Sequence, residues 1–225
     1  MKYKKIKSFI LTVDGKSSSG KSTAAKLLAK KFQIPHLSSG LLYRWAAKKI
    51  LDKKPRNKIS HLRKCFKKFN YNSLKKTNLH KPEISACSAI IARILAVRMI
   101  VKKTQKSWVK KNKKCCVIEG RDSHLIFPDA LVKFYLKANL NTAALRRFKD
   151  LRKKNGKITF KEVKKDLRKR DYSDTTRKHS PLILAKDHVV IRSDILNKSQ
   201  MIKKMSEMVG KKLKKKYGFG NKFRK

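Results

Sequence analysis

Acidic residues are scarce in this 225-residue chain: 14 Asp and Glu stand against 63 Lys and Arg, for a formal net charge of +49. A surface of that sign attracts polyanions and phosphorylated small molecules. Lys far outnumbers Arg and is spread along the whole length, so AT-biased coding and a selected polyanion partner both fit. Cysteine is also sparse, at Cys65, Cys87, Cys115 and Cys116, with no CxxC pair. That excludes a disulfide framework and structural zinc spacing, and fits a reducing cytoplasm. Long hydrophobic runs are missing too. Phe9–Val13 stops at Asp14, too short for a secretory signal, and Ile84–Val101 is interrupted by Arg93 and Arg98. No membrane partner is expected. Aromatics make up 8% and no RNA-binding or helicase signature occurs, so no specific nucleic-acid partner is expected, although non-specific polyanion binding is compatible with the charge.

What is present is an alternation of short apolar runs and helix-period segments. Strands are expected at Ser8–Asp14, Pro35–Ser38, Cys115–Glu119, Leu131–Lys137 and Asp187–Arg192. Helices are expected at Lys21–Phe32, Leu41–Leu51, Glu83–Gln105 as one long element, Asn141–Lys154 with Asn141 as cap and Gly156 as stop, Thr159–Arg170, and Ser199–Lys216. Thr159 and Glu162 have capping-box spacing. The pattern predicts a three-layer α/β fold around a central, mainly parallel five-stranded sheet. It reads as a single domain over 1–225, with a short basic insert at 53–81 and a basic tail at 217–225.

Gly15-Lys16-Ser17-Ser18-Ser19-Gly20-Lys21-Ser22 matches GxxxxGK[ST], with a strand before it and a helix after it. The glycines let successive N–H groups turn inward on phosphate oxygens, and the helix N-terminus adds positive charge. Lys21 is placed to reach the β- and γ-phosphates, and the Ser22 hydroxyl to ligate Mg²⁺. Gly15–Ser22 with Thr23 form the expected ATP site. No guanine-reading [NT]KxD follows, which argues against a GTPase. No separate carboxylate motif for the metal stands out, which favours a small kinase.

Ser39, Tyr43 and Arg44 follow the second strand, at the carboxyl ends where doubly wound sheets bind ligands. Arg121-Asp122 and the run Arg170, Asp174, Arg177 each pair Arg with a carboxylate in a chain that has few. Phosphoryl transfer needs converging positive groups around the moving phosphoryl, and Arg forks supply them.

Taken in order, DGxxxxGKS (Asp14–Ser22), SGxxYR (Ser39–Arg44), Val97-Arg98, GRD (Gly120–Asp122), FPDA (Phe127–Ala130), Arg146-Arg147 and RDxxDxxRxxxPL (Arg170–Leu182) resemble the bacterial cytidylate (CMP) kinases, nucleoside monophosphate kinases of the P-loop class. The resemblance covers most of the chain. It implies transfer of the ATP γ-phosphate to CMP or dCMP with Mg²⁺, by a cytoplasmic enzyme expected to be monomeric. It implies that Ser39, Arg98 and Asp122 read cytosine, and that Arg170 and Asp174 hold the ribose. Arg44, Arg121 and Arg177 would hold the acceptor phosphate, with Tyr43 beside them, and Lys21, Arg121, Arg170 and Arg177 would be catalytic. Arg146 would bind ATP within a lid of about 146–177. Lys16 replaces the family's usual Pro, Glu119 its usual Asp, and Ser123–Ile126 is one residue short. The sugar-contacting Ser falls at Ser88 or Ala89. Another P-loop nucleoside monophosphate kinase (UMP/CMP), or a basic nucleic-acid-binding P-loop protein, is the alternative.

Overall fold

Phe9–Gly15 is a run of β-formers with Leu11 and Val13 fully buried, and it makes the central strand β1. In the computed structural model, which describes residues 8–153 and 156–218 apart from the side chains of 75 and 76, β1 pairs in parallel with β3 (Cys115–Glu119) and β4 (Val132–Lys137). β4 pairs in parallel with β5 (His188–Arg192), and the short β2 (His36–Ser38) lies beyond β3. The order β2-β3-β1-β4-β5 places β1 in the middle, with both neighbours reached by crossovers. Parallel strands covered on both faces read as continuous apolar runs, which is why β1, β3 and β4 were legible in the sequence.

The described chain falls into two compact units, one comprising the residues up to Leu37 and from Asn112 onward, the other Ser38–Lys111. In the first unit, α1 (Lys21–Phe32) and α10 (Lys198–Tyr217) cover one sheet face. α10 presents Met201, Met205, Val209 and Leu213 at four-residue spacing to Phe134, Leu136 and Ile191 of the sheet. Two further helices of this unit, α8 (Leu140–Arg152) and α9 (Phe160–Thr176), share a small core of Ala143, Ala144, Val163 and Leu167. The Thr159–Glu162 capping box is formed: Thr159 Oγ1 accepts from Glu162 N, and Glu162 Oε2 accepts from Thr159 N. The expected cap at Asn141 is corrected to Asn139, whose side chain accepts from Thr142 N and so starts α8 earlier. That helix ends at Arg152, short of the Gly156 stop, and residue 154, its expected end, lies outside the described residues. So does most of the 217–225 tail, from 219 onward.

The second unit holds α2 (Ser39–Lys53), α3 (Lys58–Lys67), α4 (Ser73–Lys76), α5 (Pro82–Ile91) and α6 (Leu95–Lys111). The 53–81 insert thus contributes two short helices to a larger helical unit. An aromatic cluster ties it together: Trp45 packs edge-on against Phe66 and Phe69, Phe69 edge-on against Tyr71, and Tyr71 lies tilted against Trp108. The single long helix expected over Glu83–Gln105 is instead two helices, α5 and α6, meeting at a bend of 102°. No Gly or Pro marks the break. The Arg98 guanidinium reaches back to accept its place there, donating to the Ala92 carbonyl at 2.9 Å and satisfying a group that the helix end exposes. No single helix among the described residues is long and apolar enough to cross a membrane.

Gly15 ends β1 with φ +148°, and a Cβ there would lie 2.3 Å from the Leu136 carbonyl oxygen. That oxygen belongs to the β4 backbone and cannot move aside. Gly15→Ala is therefore expected to destabilise the fold by roughly 1–3 kcal/mol, measured by denaturant unfolding, and to weaken ATP binding through displacement of the loop.

Candidate active site

The loop Gly15–Ser22 joins β1 to α1, with Gly20 in the left-handed region (φ 85°) just before the helix. Ser17, Ser19 and Lys21 are buried. Lys21 Nζ folds back to donate to the Lys16 carbonyl at 2.5 Å, spanning the loop. Burial, and then the nearby Arg121, push the Lys21 pKa down from 10.5 to about 7, with Arg170 acting in the same direction and Glu119 and Asp171 opposing. Ser22 Oγ donates to Glu119 Oε1 at 2.9 Å. Glu119 sits at the carboxyl end of β3, directly beside the loop strand.

Arginines from two other segments converge on this loop, each held by a carboxylate. Arg121 Nη2 donates to Ser17 Oγ at 3.1 Å, and its Nε to Asp174 Oδ2 at 2.9 Å. Arg177 Nη1 donates to Asp174 Oδ1 at 3.2 Å, and its Nη2 lies 4.0 Å from Asp122 Oδ1. Burial opposes the Asp174 charge, but Arg121, Arg177 and Arg170 outweigh it and hold its pKa below the usual carboxylate range. Asp171 on α9 accepts the Ser17 amide at 2.8 Å, so a carboxylate occupies an N–H of the anion-binding loop. Arg146 on α8 donates to Ser193 Oγ and O at 3.2 and 2.5 Å, while Ser193 Oγ donates to the Ser19 carbonyl at 2.7 Å. Arg146 is thereby anchored beside the loop.

Within the first unit the expected residues Lys21, Ser22, Arg121, Asp122, Arg146, Arg170, Asp174 and Arg177 are thus assembled around one loop. Four others lie in the second unit. Ser39 opens α2 and is buried, and Tyr43 and Arg44 follow it on the same helix. Arg98, on α6, places its guanidinium 5.8 Å from the Tyr43 ring, and Arg44 donates to the Leu79 carbonyl at 3.0 Å. Ser88 is buried with its hydroxyl donating to the Ser85 carbonyl, and Ala89 is half-buried.

Sequence reasoning noted Glu119 only as a departure from the family's usual Asp and gave no role to Glu119, Asp171 or Ser193. For Glu119 the signal existed: an acidic residue ending a buried strand, beside the loop strand, is placed where a metal-side carboxylate belongs. Asp171 stood between two singled-out residues, Arg170 and Asp174. Ser193 carries no local signal; only the sheet order brings the end of β5 to the loop.

The sequence profile of the cytidylate kinase family matches residues 11–211, spanning both units. The chain belongs to the cytidylate kinase family. A cytidylate kinase of Bartonella tribocorum is 33% identical over 197 residues, covering 84% of this chain and 89% of the relative. One of Mycoplasmoides gallisepticum is 33% identical over 221 residues, covering 93% and 97%. The crystal structure of a Thermus thermophilus protein superposes with a TM-score of 0.52 at 17% identity, covering 92% of this chain and 98% of that one, which places the fold. Membership makes the protein an ATP-dependent phosphotransferase on the α/β fold that the sequence predicted.

The low Lys21 pKa has a directional consequence. The free protein holds Lys21 partly neutral at pH 7–8, and phosphate oxygens of a bound nucleotide restore its charge, so ATP binding takes up a proton in that range. Calorimetry in buffers of different ionisation enthalpy reads this uptake, which Lys21→Met abolishes. The folded pKa lies below the unfolded one, so the unfolded state binds more protons between about pH 7 and 10.5. The Lys21 contribution to stability of the free protein therefore improves as pH rises through that window.

Proposed function

We propose that this chain transfers the γ-phosphoryl group of ATP to the phosphate of CMP or dCMP, with Mg²⁺, as a monomeric cytoplasmic enzyme. The observation that carries this is the set of acid-paired arginines around the phosphate loop, with Asp122 buried at 4% exposure beside them. Such a set neutralises two phosphate groups at once and leaves a carboxylate to read a base amino group.

The roles follow from chemistry. Loop amides cradle the β-phosphate, and Lys21 spans the β- and γ-phosphates. Ser22 and Glu119 offer a hydroxyl and a carboxylate oxygen side by side, a hard donor pair that fits Mg²⁺. When bound, that ion supplies charge neutralisation on the β,γ-phosphate oxygens. Arg121 and Arg177 hold the acceptor phosphate, and Arg170 joins them on the transferring group. A phosphate oxygen of CMP forms the new P–O bond, the bridging P–O bond of ATP breaks, and ADP leaves. Asp122 accepts from the cytosine amino group; in the second unit Ser39, Arg44 and Arg98 keep the roles that the family resemblance implies. Asp174 and Arg170 address the ribose. The pair α8–α9, with Arg146, acts as a lid that excludes water.

The direct test is ATP-dependent phosphorylation of CMP, dCMP, UMP, AMP and GMP by the purified protein. Preference for the cytidine nucleotides is expected, and equal use of all five contradicts the reading. Asp122→Ala is expected to narrow the cytidine-over-uridine ratio of kcat/KM by tenfold or more. Glu119→Gln is expected to raise the Mg²⁺ concentration needed for half-maximal rate several-fold with CMP affinity intact.

A further inference from the structure

Away from the acid–arginine cluster, β1 carries a buried polar residue that this reaction does not use. Asp14 is fully buried, one residue before the phosphate loop. Its carboxylate accepts from the backbone N–H groups of Ser123 and His124 at 3.0 and 2.9 Å, and lies 3.1 Å from His124 Nδ1. His124 belongs to α7 (Ser123–Ile126), the turn after Asp122, and is 4% exposed. His188 opens β5. Asp14 stands opposite Tyr135 of β4, and Tyr135 opposite Val190, so Asp14 and His188 share one sheet face. The two imidazole rings meet edge-on, with centroids 4.4 Å apart.

One donor atom from each of Asp14, His124 and His188 lies within 4.8 Å of the other two. The Nε2 atoms of both histidines are buried and have no hydrogen-bond partner in the structure. A buried ring nitrogen without a partner is costly, and here two such nitrogens belong to imidazoles that are in contact. We propose that Asp14, His124 and His188 form a binding site for a late first-row divalent cation, of which Zn²⁺ is the type.

The donor chemistry selects that class. Imidazole nitrogen favours zinc, cobalt and nickel over Mg²⁺, which takes oxygen ligands. The Asp14 carboxylate accepts the His124 Nδ1–H and so turns the Nε2 lone pair outward, the arrangement by which carboxylates orient metal-binding histidines. His188 Nε2 is the second ligand, and water completes the shell. His188 Nδ1 accepts from the Ala185 amide at 2.8 Å, which leaves its proton on Nε2. Binding moves this proton to Nδ1 and releases the Ala185 amide, in the partly exposed loop before β5, to solvent. His188 is half-buried and Val190 beside it is 39% exposed, which gives the ion a way in. A bound ion would fasten β5 and α7 to the strand that ends in the phosphate loop.

The full-length protein, without nucleotide, is titrated with Co²⁺ by visible absorption and with Zn²⁺ by calorimetry. One equivalent is expected to bind with a nitrogen/oxygen spectrum that lacks a thiolate-to-cobalt band. His188→Gln and His124→Gln should each weaken binding at least tenfold, circular dichroism serving as the check on folding, and His188→Gln should leave the Mg²⁺-supported kinase rate measured without added Zn²⁺ unchanged. The Ala185 amide should lose hydrogen-exchange protection when Zn²⁺ is added. Absence of stoichiometric binding overturns the proposal, as does undiminished affinity in His188→Gln. A thiolate band that disappears in Cys65→Ser overturns it too, since Cys65 lies 3.4 Å from His61 and would then be the ligand.

Discussion

Around the phosphate loop, Lys21, Arg121, Arg170 and Arg177 must converge before any nucleotide arrives, and they repel one another. Two unit charges 4 Å apart at an effective dielectric of 20 cost about 4 kcal/mol. The carboxylates remove that cost. Asp174 bridges Arg121 and Arg177, Glu119 and Asp171 lie near Lys21, and Asp122 faces Arg177. Four of the chain's 14 acids therefore stand at this one place. Without them the arginines would splay toward solvent and the phosphate loop would lose the partners that set its surroundings. Lys21 keeps a low pKa of about 7, first because it is buried and then because Arg121 is near, so the phosphates of a bound nucleotide would restore its charge.

The sheet makes the convergence possible. Parallel strands all deliver their carboxyl ends to one edge, and β1, β3 and β5 bring the loop, Glu119 and Ser193 there from residues far apart in sequence. The helical pair α8–α9 has its own small core of Ala143, Ala144, Val163 and Leu167, yet reaches the loop directly through Asp171 and, by way of Ser193, through Arg146. It is thus attached by polar contacts that a phosphate can replace, which suits an element that closes over a substrate. Asp171 on the Ser17 amide is a carboxylate where an anionic ligand would otherwise sit.

Strands and the loop were readable in sequence because their signals are local: β-forming apolar runs, and a fixed spacing of Gly, Lys and Ser. α1 falls at the expected Lys21–Phe32 because the loop fixes its start and its apolar spacing runs on to Phe32. The bend between α5 and α6 was not readable, since apolar spacing continues through it and the group that satisfies the broken end, Arg98, is six residues away from Ala92. Asn139 was passed over for Asn141 because both are capping residues and only the backbone decides between them. At the site, Arg121, Asp122, Arg170, Asp174 and Arg177 stood out through the rarity of acids in the chain. Ser193 and the His124–His188 pair did not, because contacts across the sheet, not spacing, bring them together. The large positive charge, conspicuous in the composition, locates no site: the lysines are distributed, whereas Arg121 and Arg177 beside the loop have their direction fixed by a carboxylate.

The carboxylates act through the arginines they hold, so that the network behaves as one unit. A double-mutant cycle on kcat/KM for CMP, using Arg121→Ala, Asp174→Ala and the pair, tests this coupling. The double variant is expected to lose scarcely more than the worse single variant. Losses that simply multiply would show that Arg121 and Asp174 act independently, and would contradict it.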